Sequence, residues 1–156
     1  MISMKGALLL VALLLSAPAY ARIGETTKQL EKRYGRPLKA GQENGETLRF
    51  SFRGYTIVVG LDQGVSQCEV YERRDGSRLT EGEIWGLLDA NASSKSPWRA
   101  EPEEGVTNYV YRSRDKRTRV AIYVLASHKL LVTSKPYLAR FGHLTGSSDQ
   151  TEMEGF

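Results

Sequence analysis

The residues of this chain that could do chemistry do not stand at spacings that build a reacting centre. Its two histidines, His128 and His143, fall in a predicted hairpin turn and at the edge of a polar tail. Neither has a metal-ligand partner at a recognised spacing. There is no G-x-S-x-G elbow, no H-E-x-x-H and no glycine loop of the kind that cradles phosphate. Cys68, the only cysteine, carries no local signature of a thiol nucleophile and reads as a small apolar strand residue. Carboxylates cluster at Glu69 and Glu72 and at Glu101, Glu103 and Glu104, as they do on many surfaces. Nothing fills the nucleophile, base and stabiliser roles together, so the chain reads as no enzyme, with no metal and no cofactor.

The remaining chemistry is that of recognition. Tyr111-Arg-Ser-Arg-Asp-Lys-Arg-Thr-Arg119 is a basic hairpin in which Arg112, Arg114, Lys116, Arg117 and Arg119 are interrupted by Asp115. It serves a solvated turn, or it holds an anionic envelope polymer. The formal charge of +4 is too small to argue for nucleic acid. Tyrosine and arginine offer large contact area with a polar end and are enriched where proteins meet. Their placement depends on the elements that carry them.

Those elements alternate helix and strand. Thr26 is a good N-cap with Gln29 as its capping-box partner, Leu30 and Tyr34 share a face, and Gly35 and Pro37 stop the helix. Residues 39–46 read as a polar, glycine-containing turn. Thr47 to Phe52, Tyr55 to Leu61 and Val65 to Glu72 then read as three antiparallel strands joined at Arg53-Gly54 and Asp62-Gln-Gly64. The pattern returns with Thr80 and Glu83 at a second helix start, Leu79 and Ile84 at staple positions, and strands over 107–112, 118–125 and 129–134. Pro136 to Phe141 reads as a short closing helix. The fold class is therefore α+β, a tandem repeat of one helix plus three antiparallel strands with both helices on one face of the sheet. The units run over about 22–75 and 76–142, and 143–156 reads as a disordered tail.

Residues 1–21 read as an export signal: Lys5, the apolar run Ala7 to Leu15, and the small-x-small site Ala19-Tyr-Ala21. No later stretch is long and apolar enough to span a bilayer. A periplasmic or secreted protein is expected, and the cleavage point lacks the cysteine a lipid anchor needs. A single cysteine also leaves no internal disulfide.

Strand alternation then assigns faces. If Val110, Val120, Ile122 and Val124 meet the helices, Tyr109, Tyr111, Tyr123 and Arg119 point away. If Leu48, Phe50, Phe52, Cys68 and Val70 are buried, Arg49, Arg53, Glu69 and Tyr71 point away as well. The expected contacts with a protein partner are thus Tyr71, Tyr109, Tyr111, Tyr123, Arg49 and Arg119 on an open sheet face. An envelope enzyme whose residues converge only in three dimensions is the competing reading.

The stretch Gly24-x-Thr26-x3-Leu30-x3-Tyr34-Gly35-x-Pro37 resembles the helix motif of small outer-membrane lipoproteins of the SmpA/OmlA type. The tandem arrangement resembles the β-lactamase inhibitory proteins, built of two such units with a concave sheet. The R-I-G-E-T and R-Y-G-x-P pieces are also similar to a group of exported bacterial proteins. The resemblance implies a non-catalytic, protein-binding fold of the cell envelope.

Overall fold

The computed structural model describes residues 23–41, 46–92, 97–101, 108–113 and 118–141. The expected export signal at 1–21, residues 114–117 of the predicted basic hairpin and the expected tail at 143–156 lie outside the described residues. Helix α1 spans Thr27–Tyr34, followed by strands β1 (Lys39–Gly41), β2 (Glu46–Phe52), β3 (Tyr55–Asp62) and β4 (Val65–Arg73). Helix α2 spans Glu81–Ala90, followed by β5 (Trp98–Glu101), β6 (Asn108–Ser113), β7 (Arg119–Val124) and β8 (Lys129–Ser134). A short helix, α3, covers Lys135–Phe141.

The strands form one antiparallel sheet in the order β1-β2-β3-β4-β8-β7-β6-β5. Among the described residues the sheet has eight strands where six were expected. The additions, β1 and β5, are its short edge strands, and their three and four residues are too few to show an alternation. Among the described residues no helix is long and apolar enough to cross a membrane.

Local chemistry explains where the elements start and turn. The Thr26 N–H donates to the Gln29 side chain at 2.8 Å, and the Thr80 N–H to the Glu83 carboxylate at 2.8 Å. The Glu83 N–H completes the second box by donating to the Thr80 hydroxyl at 3.3 Å. Gly35 ends α1 at φ 87°, a conformation open to glycine at little cost. Arg53-Gly54 and Gln63-Gly64 both take positive φ at each central position, as a two-residue turn between twisted strands requires.

The core gathers on one face of the sheet. Leu30 and Tyr34 of α1 and Ile84, Leu87 and Leu88 of α2 join Phe50, Ile57, Val59, Tyr71, Tyr123, Leu130 and Val132 in a single buried cluster. The Tyr34 ring lies 5.3 Å from Phe50 and 5.4 Å from Phe52. The Trp98 indole N–H donates to the Leu88 carbonyl at 2.6 Å, tying β5 to the end of α2.

A bulge fixes the phase of β4. Gly60 pairs with Cys68 and Leu61 with Ser66, which leaves Gln67 as an extra residue. Ser66 consequently shares the burial of Glu69 and Tyr71. Its backbone carbonyl and N–H bond the Gly24 N–H and the Glu25 carbonyl, fastening the chain ahead of α1 to β4.

Candidate functional site

The face assignment from alternation is overturned in β4, β6 and β7. Tyr71, Tyr111 and Tyr123 are 0%, 6% and 2% exposed and belong to the buried cluster rather than to an open face. Arg119 lies in register with them on β7 and donates to the main-chain carbonyl of Asn91, just after α2. Tyr109, at 56% exposed, stacks on Tyr123 with ring centroids 6.5 Å apart, so it too stands on the helix side. Of the six expected contacts, Arg49 alone is exposed on the face turned away from the core.

Each buried tyrosine has an occupation for its hydroxyl or ring. The Tyr71 hydroxyl donates to the Glu69 carboxylate and accepts from the Asn91 amide at 3.0 Å. The Tyr34 hydroxyl approaches the same carboxylate at 3.4 Å. The Tyr123 hydroxyl accepts from the Leu79 N–H at 3.2 Å, and Tyr111 packs edge-on against Trp85 at 5.4 Å. Polar tips thus reach partners at the helix ends while the rings fill the layer, which aliphatic residues of the same strands could not do.

The second face of the sheet is aliphatic. Register places Arg49, Val58, Val70, Leu131, Ile122, Val110 and Glu101 in one row across seven strands. Val58, Val70, Leu131 and Ile122 are each partly exposed. A neighbouring row holds Gly60, Cys68, Thr133, Val120 and Arg112, and α3 lies against it. A Cβ placed on Gly60 would sit 2.5 Å from the Tyr137 hydroxyl, so the missing side chain is what lets that ring settle. The Arg140 guanidinium holds the Asp62 carboxylate at 2.8 Å from the far end of α3.

Between α3 and the β6–β7 pair runs a groove of about 300 Å³ lined by Asn108, Val110, Arg112, Val120, Ile122, Lys135 and Leu138. Arg112 donates through Nε to Glu101. A second hollow of about 220 Å³ lies between the β2–β3 turn and α2. There the Glu83 carboxylate accepts from Tyr55 at 2.6 Å and from Arg73 at 2.6 and 3.1 Å. Burial opposes the charge of Glu83, but the Tyr55 hydroxyl, the Thr80 N–H and the Arg73 guanidinium outweigh it and hold the carboxyl at about 2.

His128 and Cys68 have structural company. His128 sits at φ 58° in the β7–β8 turn, its Nε2 receiving the Arg78 Nε–H at 3.2 Å and its Nδ1 lying 2.9 Å from the Gly76 carbonyl. Burial pushes the Cys68 thiol up to about 12, and the adjacent Glu69 charge adds to that. Among the described residues no group of three or more His, Cys, Asp or Glu is placed to hold a metal ion. In the basic hairpin, Arg112 and Arg119 are engaged inside the fold.

No family model and no curated protein matches the chain. Among solved structures, a cysteine-rich secretory protein from Staphylococcus aureus is similar, at 10% sequence identity and a TM-score of 0.45. The similarity covers 77% of this chain and 47% of that one, so the chain spans about half the length of that structure.

Proposed function

We propose that this chain is an exported, non-catalytic protein-binding domain of the bacterial cell envelope that meets its partner through the second face of the sheet. The observation that carries the reading is the row Val58, Val70, Leu131 and Ile122. It is four aliphatic residues on four adjacent strands, partly exposed and flanked by exposed Arg49. An apolar centre with a charged rim is the composition of a protein-binding patch.

The element order supports reading the molecule as two tandem units, α1 with β1–β4 and α2 with β5–β8, whose helices share the first face. The export signal over 1–21 supports a periplasmic or secreted location. The contacts move from the tyrosines to the aliphatic row because Tyr71, Tyr111 and Tyr123 are buried in the core and Tyr109 stands on their side of the sheet.

The test is affinity capture from envelope extract with the wild-type protein and with a Val58→Lys/Val70→Lys variant. A captured protein is then purified and its binding measured directly. The reading expects a partner that binds the purified wild type and loses at least about tenfold in affinity for the variant. Equal binding by both proteins overturns it.

A further inference from the structure

On the helix side of the sheet, the flank of α2 and strand β6 leave an aromatic corner open. Glu81 and Trp85 stand one turn apart on α2 and face the same way. Tyr109 and Tyr111 are alternate residues of β6 and share one face of the sheet. Tyr111 joins the two pairs, since its ring meets Trp85 edge-on at 5.4 Å and its hydroxyl feels the Glu81 charge. Burial raises that hydroxyl above its ordinary value, and Glu81, Tyr109 and Tyr123 add to the rise.

What the corner presents to solvent has one electrical character. The Tyr109 ring is 56% exposed and is braced by Tyr123, while Trp85 is half-buried. Glu81 is exposed and has no cationic partner among the described residues. The Tyr111 hydroxyl has no hydrogen-bond partner among the described residues. Aromatic faces carry negative potential, so ring, hydroxyl oxygen and carboxylate all attract positive charge.

The acceptors decide the kind of cation. A quaternary ammonium has no N–H and leaves the carboxylate and the hydroxyl without a donor. A primary ammonium donates but has no flat face to lay on Tyr109. A guanidinium does both, donating from its edge while its plane lies on a ring. Neither hollow described above includes these residues, so the corner is a surface. It suits a side chain delivered by a partner rather than a free small molecule, which favours concave sites.

We propose that the corner formed by Glu81, Trp85, Tyr109 and Tyr111 binds an arginine side chain of a protein partner, its guanidinium stacked on Tyr109 and bonded to the Glu81 carboxylate and the Tyr111 hydroxyl. The corner lies on the face opposite the aliphatic row, so this inference goes beyond the protein-binding reading of that row.

The experiment follows amide NMR spectra of the isotope-labelled protein during titration with N-acetyl-arginine amide. A parallel titration uses the citrulline analogue, which keeps the shape and loses the charge. Expected are saturable shifts centred on Glu81, Trp85, Tyr109 and Tyr111, with a Kd of about 1–10 mM for the arginine derivative and binding at least about fivefold weaker for citrulline. Glu81→Gln and Tyr109→Ala should each weaken the arginine derivative at least about threefold. Both residues are exposed, so each variant keeps the fold. Absence of saturable shifts at these amides, citrulline binding as well as arginine, an affinity unchanged in either variant, or tetramethylammonium competing as well as the arginine derivative overturns the proposal. Its failure leaves the second-face reading standing, because Val58→Lys/Val70→Lys tests that face alone.

Discussion

Glu69 and Tyr71 stand two residues apart on β4, both fully buried on the same face, with the tyrosine hydroxyl donating to the carboxylate. A carboxylate with no exposed surface is tolerated only where its oxygens are bonded. Tyr71→Phe removes that donor and also the acceptor of the Asn91 amide. The expected loss is about 1–3 kcal/mol of stability, seen as a lower urea midpoint with an unchanged slope. A midpoint equal to wild type would show that the pair contributes nothing.

This pair also shows how far the sequence could be read. Caps, turns and the boundaries of the longer strands were legible because each has a local cause, as Thr26 with Gln29 and Gly54 after Arg53 show. The phase of the central strands was not. In β7, Arg-Val-Ala-Ile-Tyr-Val is apolar at most positions of either phase, so alternation does not choose between Val120 with Ile122 and Ala121 with Tyr123. In β4 the charge of Glu69 argued for solvent, yet hydroxyls from two elements meet it inside. The bulge at Gln67 had no local signal. The candidate site inherited that phase error, and of its six residues Arg49 alone kept the expected face.

The seat of α3 on Gly60 makes a second prediction. An alanine in a strand ordinarily gains over glycine through backbone entropy, but here its methyl meets the Tyr137 hydroxyl. Gly60→Ala is expected to destabilise the wild type and to be neutral or stabilising in a Tyr137→Ala background. A double-mutant cycle should return a coupling of about 1 kcal/mol, and additive effects would separate the two residues.

Acid titration should isolate Glu83. Its carboxyl is held at about 2 in the folded protein, below its ordinary value, so its contribution to stability is present above the unfolded pKa and is lost as pH falls through about 2. The stability gap between wild type and Glu83→Gln should therefore be constant above about pH 5 and close toward pH 2. At the alkaline end Tyr55 acts in the opposite sense. Burial and Glu83 raise it to about 12, so its contribution is full below the unfolded pKa near 10 and is lost as pH rises through 12. Urea denaturation at intervals between pH 2 and pH 7 checks the first of these.

Cys68 offers a probe of the second face. Because burial holds its thiol up to about 12, little thiolate exists at pH 8. Alkylation by iodoacetamide at that pH should be slower than for a free cysteine by at least about tenfold, and should accelerate in Tyr137→Ala as α3 loosens. A rate equal to that of free cysteine would show an open thiol.

The pairing of β4 with β8 brings together strands that are far apart in the chain, Cys68 opposite Thr133 and Tyr71 opposite Leu130. Everything up to β4 can assemble from local hairpins, and so can everything from β5 to β8, but each assembly then presents a long strand with one side unbonded. Closing that seam must wait for a distant part of the chain. Until it closes, the bare edges of β4 and β8 can as readily meet their counterparts in another copy, so exchange of halves between molecules is the misassembly this topology invites.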